Sequence, residues 1–324
     1  MALEAGDTRP DISDGRFDDV DALAAQFRGY GQVYQQLGRG RFEGRVRAYR
    51  FGDDLMIQQE TANCELAQSA WTPTGRYAAC ILAATSPPCT LNAASFAQND
   101  LAVCPENRCI EGKTAAGLSI YCLDLATDLL PDEAYAAHSD VVAADPMHAR
   151  RLREVVESGL HAFATRPEIR SERSAVISFK SSIADLLWQI ATRTSESAFR
   201  DRRPLKSIRT LRTFRRAREF IHERLADGIS ISELCRDIGA SRRSLEGAFQ
   251  SAIGMSPGNF IRLLQLNHIR RDLVSGPSDA AIGAIAARRG VWHLSRFSQA
   301  YRELFGELPS QTRRRAQESS SAVA

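Results

Sequence analysis

The sequence predicts a two-domain α+β protein, in which a β-rich N-terminal half with a helical hairpin precedes an all-α C-terminal half. A chain of 324 residues is longer than one typical domain. Between about residues 32 and 125, short apolar or alternating runs are separated by turn-forming pairs such as Pro87-Pro88, which is typical of an all-β sandwich or barrel. From Ile231 to Pro309 the apolar spacing is helical instead, and one pattern occurs twice.

The repeated pattern indicates two helix-turn-helix units. Each copy has a short helical run, a turn that contains Gly239 or Gly290, and a longer second helix. Each copy then ends on phenylalanine, glycine and proline. Two helices joined by such a short turn form a unit whose second helix, the reading helix, can enter the major groove. Two units in tandem therefore predict double-stranded DNA as the partner.

These residues resemble the AraC/XylS family of bacterial transcription regulators. The matching residues of the first copy are Leu234, Ile238, Ser241, Leu245, Phe249, Gly254 and Ser256-Pro257. Those of the second copy are Ile282, Ile285, Ala286, Gly290, Ser295, Phe297, Tyr301, Phe305-Gly306 and Pro309-Ser310. Cys235 and Val291-Trp292 depart from the family pattern. The resemblance covers about a third of the chain.

The resemblance implies a regulator, most often an activator, that contacts RNA polymerase and senses a small molecule in a cupin-like β-barrel. Residues 31–46 and 62–75 also resemble, less closely, the sensor half of ethanolamine-type AraC regulators, which implies a small polar metabolite as effector. No ligand-binding residue is carried over. The expected organisation is an effector-sensing domain at 1–130, a helical segment at 131–194, a linker at 195–207, a DNA-binding domain at 208–316 and a disordered tail at 317–324.

Polar side chains on the two reading helices are the candidates for contact with DNA. Arginine can form two hydrogen bonds to guanine, glutamine can form two to adenine, and glutamate can accept one from cytosine. The candidates for base contact are Ser241, Arg242, Arg243, Ser244, Glu246 and Gln250 on the first helix and His293, Ser295, Arg296 and Gln299 on the second. The candidates for phosphate contact are Arg288, Arg289, Arg302, Arg313, Arg314 and Arg315. Leu294 is expected to pack inward.

A single amphipathic helix is predicted between the two units, at 257–275. Its 19 residues would span about 28 Å at 1.5 Å per residue, close to the ~34 Å between successive major grooves on one face of DNA. The two reading helices are therefore expected to occupy adjacent grooves if this linker helix is continuous.

The charge distribution favours a polyanionic partner at one end of the chain. Residues 206–315 contain 20 Lys and Arg against 10 Asp and Glu, whereas residues 1–205 contain 22 against 28. A basic C-terminal half on an acidic body is expected of a protein that binds nucleic acid through that half. The N-terminus shows neither a basic nor an apolar signal region and no apolar run is long enough for a membrane span, which predicts a cytosolic protein.

The N-terminal half offers candidate effector contacts and two open alternatives. Aromatic residues suited to line a barrel are Trp71, Tyr77, Phe96 and Tyr121. The helices at 146–163 and 168–190 form a hairpin that either joins two subunits in a homodimer or caps the barrel. Residues 1–16 are predicted to be disordered, because they contain little apolar material.

No enzyme motif is present. The six histidines all follow the β segment, so a histidine-rich metal site of the cupin type is not expected, and no nucleophile elbow or phosphate loop occurs. No cofactor is predicted. Six of the seven cysteines lie in the N-terminal half, where they are expected to pack as small apolar residues. The alternative is a redox-responsive regulator, for which Cys104 and Cys109 form the pair to test first.

Overall fold

The computed structural model describes residues 9–92, 94–98, 100–129, 141–143, 146–193, 205–226, 228–276 and 280–323. The chain divides into two compact units. The first comprises residues 1–34, 43–63 and 68–204, and the second comprises 205–324 together with the short segments 35–42 and 64–67. Most of the predicted linker, residues 195–204, lies outside the described residues, and the helical module begins at Leu205.

Two sheets of mainly antiparallel strands form the β-rich half. The larger has the order β1-β3-β4-β11-β6-β9-β12 and the smaller has the order β2-β5-β10-β7-β8. The strands are β1 Asp11–Phe17, β2 Val33–Gln36, β3 Gly44–Phe51, β4 Leu55–Ala62, β5 Leu66–Trp71, β6 Arg76–Leu82, β7 Cys89–Leu91, β8 Ala94–Phe96, β9 Asp100–Cys104, β10 Cys109–Thr114, β11 Leu118–Ala126 and β12 Val141–Ala143. In the described residues both sheets are open, so the β prediction holds without a closed barrel.

Two long helices of the first unit cover one face of the larger sheet. They are α2 Pro146–Thr165 and α4 Arg173–Arg193, and the unit also contains the short helices α1 Val20–Ala24 and α3 Pro167–Ser171. Phe51 of the sheet lies 5.2 Å from the rings of both Phe163 of α2 and Phe179 of α4. Gly159 allows this approach, because a Cβ there would lie 2.2 Å from the Phe179 ring. The apolar faces of α2 and α4 are thus buried against their own sheet, which supports capping over dimerisation through these faces.

The second unit is helical apart from its two short N-terminal segments. Its helices are α5 Leu205–Arg224, α6 Ile231–Ile238, α7 Arg242–Ile253, α8 Pro257–Ser275, α9 Ile282–Arg288, α10 Leu294–Phe305 and α11 Pro309–Val323. Both predicted helix-turn-helix units and the linker helix, α8, are present with the expected bounds. In the described residues no helix is long and apolar enough to cross a membrane.

Two expectations at the chain ends differ from the structure. Residues 11–16, expected to be disordered, belong to strand β1, Asp11–Phe17, which pairs with Gly44–Arg50 of β3. Edge pairing and the contacts of Arg45 and Arg47 with Asp14 order a segment that has little apolar content of its own. Helix α11 runs to Val323, through most of the segment where a disordered tail is predicted. Arg314 and Glu318 form an i,i+4 pair on this helix.

Candidate nucleic-acid interface

The first helix-turn-helix unit is defined by its caps. Ser230 and Glu233 form a capping box at the start of α6, with each side chain accepting from the other's backbone N–H at 3.1 and 3.0 Å. Gly239 ends that helix with φ +64°, a left-handed conformation that glycine adopts at little cost. Ser241 then caps the first reading helix, α7, by accepting from Ser244 N at 3.2 Å. The Ser241 hydroxyl is therefore engaged in holding the helix.

An aromatic cluster holds the first reading helix in place. The ring of Phe249 on α7 lies 5.0 Å from Phe214 of α5 and 5.4 Å from Phe260 of α8. Phe249 is fully buried. Such ring pairs stabilise by about 1 kcal/mol beyond their buried area. Helix α7 is thus fixed to both neighbouring helices, and its outer face is left for a partner.

The exposed face of α7 carries the residues predicted from the sequence to read bases. They are Arg242, Arg243, Ser244, Glu246 and Gln250, with Gly247 among them. Arg242 Nε donates to Glu246 Oε1 at 3.0 Å, and both side chains are more than half exposed. An exposed pair of this kind is worth less than 1 kcal/mol, so DNA can displace it readily.

The second reading helix, α10, is held by its own core. Phe297 and Tyr301 pack at 5.7 Å and Tyr301 and Phe305 at 4.5 Å between ring centroids. The Tyr301 hydroxyl lies 2.9 Å from the Thr312 hydroxyl of α11. Gly306 ends α10 with φ +71°. This core keeps one face of α10 buried and the opposite face accessible.

The exposed face of α10 presents the predicted residues His293, Ser295, Arg296 and Gln299. The expectation for Leu294 was wrong, because its side chain is 49% exposed. Leu294 is the first residue of the helix, where no preceding turn covers it, and it contacts the position of Gly283. Trp292, just before the helix, is 75% exposed. Sequence reasoning did not identify these two residues as an exposed apolar pair, and apolar side chains beside a reading helix can contact a thymine methyl group.

The arginines predicted to contact phosphate fall into two groups. Arg288, Arg302 and Arg314 are exposed. Arg289 instead makes two 2.7 Å hydrogen bonds to the carboxylate of Asp272 on the linker helix, which raise the pKa of the guanidinium. Arg313 is half-buried.

Arg315 belongs to a partly buried charge network. Glu307 Oε1 accepts from Arg315 at 2.6 Å, from Arg270 at 2.7 Å and from Thr312 at 2.7 Å. Breaking a buried pair of this type costs several kcal/mol, because the remaining charge is left uncompensated. Arg315 therefore holds α11 against α8, which occupies the guanidinium predicted to meet phosphate.

The linker helix is continuous over all 19 residues from Pro257 to Ser275. Phe260 and Leu264 belong to the core of the first unit, whereas Ile269 and Leu273 belong to that of the second. One helix thus supports both reading helices, as the sequence predicts.

The four aromatic residues proposed to line an effector site do not surround one cavity. Trp71 is 52% exposed. Tyr77 and Tyr121 are in the core between the larger sheet and helices α2 and α4, and Phe96 is buried in the smaller sheet. Their positions follow from strand alternation, which places odd-numbered residues of β6 and β11 on the helix-covered face.

A buried carboxyl group marks the opposite face of the larger sheet. Glu60 of β4 accepts from the Tyr34 hydroxyl at 2.9 Å and from Gln68 Nε2 at 3.2 Å, two residues of the smaller sheet. It is 2% exposed. Burial raises the pKa of Glu60 to about 7, although both hydrogen bonds act in the other direction. A lone glutamate within an alternating strand was the signal that sequence reasoning did not use.

None of the seven cysteines forms a disulfide, and the two that face each other are not the proposed pair. Cys104 is buried and accepts from the Thr72 hydroxyl at 3.0 Å, and burial raises its pKa to about 11. Cys80 and Cys122 instead face each other across β6 and β11, and their contact raises the pKa of Cys122. Because the thiolate is the reactive form, raised pKa values disfavour redox chemistry. Among the described residues no three His, Cys, Asp or Glu side chains are grouped to hold a metal.

Comparison with known proteins identifies relatives of the helical module. A family model described as a helix-turn-helix domain matches residues 234–315. The XylDLEGF operon transcriptional activator of Pseudomonas putida is 33% identical over 149 residues, which are 46% of this chain and 42% of that protein. The XylDLEGF operon transcriptional activator 2 of the same organism is 37% identical over 100 residues, 31% of this chain and 64% of that protein. This chain thus spans less than two thirds of the length of either relative. The similarity to the solved structure of the AraC-like transcriptional activator CuxR extends over 85% of this chain and 100% of the CuxR chain. The sequence identity is 15% and the TM-score is 0.45.

Proposed function

Because the chain belongs to the AraC/XylS family through its C-terminal module, we propose that it is a sequence-specific DNA-binding transcription regulator that acts as an activator. The observation that carries this proposal is the continuous helix Pro257–Ser275, which supports two reading helices with exposed polar faces. Two such helices held on one spacer fit two adjacent major grooves on one face of the duplex.

Base reading is assigned to the exposed faces of α7 and α10. On the first helix the exposed Arg243 and Gln250 carry the groups that pair with guanine and adenine, and Glu246 can accept from cytosine once released from Arg242. On the second helix Arg296 and Gln299 take the corresponding roles. Arg288, Arg302 and Arg314 supply phosphate contacts, which add affinity without sequence preference. Trp292 contributes apolar contact beside the second groove.

The N-terminal half is proposed to sense a small effector and to control the DNA-binding half. A cupin-like arrangement of its strands is the fold that the family resemblance implies. Glu60 and its partners Tyr34 and Gln68, which join the two sheets, are the proposed effector-contacting residues, because a buried carboxyl whose pKa is raised to about 7 can respond to a bound molecule. We place the functional boundaries at 1–130 for sensing and 208–316 for DNA binding, with RNA polymerase as the further partner.

Selection of bound duplexes from a random pool by the full chain tests this function. The expected product is a motif of two blocks whose centres lie about 10 base pairs apart, one helical turn. Arg243→Ala should lose preference in one block and Arg296→Ala in the other. A pool that shows no enriched motif, or a motif of one block that both variants affect alike, would contradict the proposal.

A further inference from the structure

Residues 35–42 are part of the helical unit, although they come from the N-terminal half of the sequence. We call them the 35–42 segment. Gln36 is 1% exposed and Leu37 is 8% exposed, so these two residues of the segment are buried. Leu37 N and Gly38 N both donate to Glu65 O, which ties the segment to residues 64–67 of the same unit.

The first anchor of the segment is Asn267, in the middle of the linker helix. Gln36 N donates to Asn267 Oδ1 at 3.0 Å, and Asn267 Nδ2 donates to Gln36 O at 3.1 Å. The side-chain amide thus supplies the donor and acceptor that a neighbouring strand would supply. Asn267 is 2% exposed. Because buried polar groups are costly when unpaired, this pair fixes the segment on α8 in one register.

The second anchor is the C-terminal end of the second reading helix. The last four carbonyl groups of a helix have no partner within it. Leu304 O, in the last turn of α10, accepts from Gln36 Nε2 at 2.8 Å and from Gly40 N at 3.0 Å. Beyond the helix end the two backbones are in close contact, since a Cβ on Gly306 would lie 2.8 Å from Arg41 N.

We infer that the 35–42 segment positions the second reading helix on the linker helix and is required for recognition of the second half of the DNA site. The inference rests on the proposed function. Gln36 hydrogen-bonds both to Asn267 in the middle of α8 and to Leu304 O at the end of α10, so the segment adds a polar link to the apolar packing of α10 on α8. Arg39 also pairs with Glu303 at 3.7 Å, but both side chains are largely exposed and this pair contributes little.

The first reading helix supplies an internal comparison. Its core is formed by α5, α6 and α8, with Phe249 at the centre, whereas the two anchors of the 35–42 segment are on α8 and α10. A role in positioning therefore predicts an asymmetric effect. Loss of the segment's hydrogen bonds should reduce discrimination in the half-site read by α10 and leave the half-site read by α7 unchanged.

The test compares two variants with a control. Asn267→Leu removes the first anchor, the bonds to the Gln36 backbone, and Gln36→Met removes the side-chain bond of the second anchor to Leu304 O. Arg39→Gln is the control on the same segment. The half-sites are first assigned from the positions at which Arg243→Ala and Arg296→Ala relax base preference. Dissociation constants of the full chain are then measured for the intact site and for sites altered in either half. We expect both anchor variants to lose about tenfold of discrimination in the second half, roughly one bidentate base contact. The first half should be unaffected, and Arg39→Gln should match the parent.

The inference is overturned if the anchor variants keep full discrimination in the second half, or if they lose both halves alike as a general loss of folded protein would cause. Asn267→Leu leaves the segment itself intact, so it decides the question if Gln36→Met does not fold. A parent protein that discriminates in neither half would refute the proposed function as well, which separates the two failures.

Discussion

Replacing Glu60 by glutamine should remove a pH-dependent loss of stability from the N-terminal unit. The Glu60 carboxyl has its pKa raised from 4.5 to about 7 by burial. The folded state therefore favours the protonated form, and its advantage is fully present below pH 4.5 and is lost as pH rises through 7. Each unit of pKa corresponds to about 1.4 kcal/mol.

The shift predicts that the free energy of unfolding falls by about 2–3 kcal/mol between pH 5 and pH 8 because of this one group. Glu60→Gln keeps the size of the side chain but has no proton to lose. The stability of the variant minus that of the parent should therefore rise by that amount over the same range. If the glutamine forms weaker hydrogen bonds with Tyr34 or Gln68, the difference in free energy of unfolding between variant and parent shifts by the same amount at every pH.

The assay is urea unfolding of the full chain at several pH values, followed by circular dichroism, because the difference between two proteins cancels the other titrating groups. Glu43 is an exposed acid directly before strand β3, and Glu43→Gln controls for the loss of one negative charge. Stability curves of the parent and of Glu60→Gln that run parallel from pH 5 to pH 8 would refute the reasoning. They would show that Glu60 is charged in the folded protein.

Three further outcomes are expected. Arg243→Ala should relax base preference at one position of the DNA site. Arg314→Ala should instead lower the affinity for all DNA sequences alike and reduce the slope of log affinity against log salt concentration by about 1. Identical behaviour of the two variants would contradict the assignment of α7. Gly247→Ala should stabilise the protein by about 0.5–1 kcal/mol, since no atom lies within 4 Å of the added Cβ. The same variant should weaken DNA binding if that face of α7 enters the groove. Unchanged binding would exclude a close approach of DNA to Gly247. Burial and neighbouring arginines lower the pKa of His268 to about 4, so stability should fall as pH drops from 6.5 towards 4, and His268→Gln should reduce that fall in acid titration.

The helical module could be predicted from the sequence because its signals are local. Helix caps such as Ser230 and left-handed glycines such as Gly239 fix the start or end of a helix through contacts within a few residues. The apolar periodicity of α8 likewise indicates which of its faces is buried. The linker helix and the exposed faces of both reading helices followed from these patterns. Leu294 was misplaced because it is the first residue of its helix, where the periodic pattern continues but no preceding turn covers the side chain.

The remaining features depend on contacts between distant parts of the chain. Alternation in β6 and β11 shows that Tyr77 and Tyr121 share a face, but it does not say whether helices or the second sheet cover that face. The pairing of Gln36 with Asn267 joins residues 231 positions apart, and no local pattern encodes it. Asn267 nevertheless left a signal, because it is a polar residue among buried apolar residues of α8 such as Leu264, Leu266 and Ile269.

Hydroxyl-radical footprinting of the full chain on its selected site tests the central claim most directly. If α7 and α10 sit in adjacent major grooves on the continuous helix Pro257–Ser275, each bound protomer should protect two stretches on one face of the duplex, about 10 base pairs apart. Protection of a single groove per protomer would contradict the account.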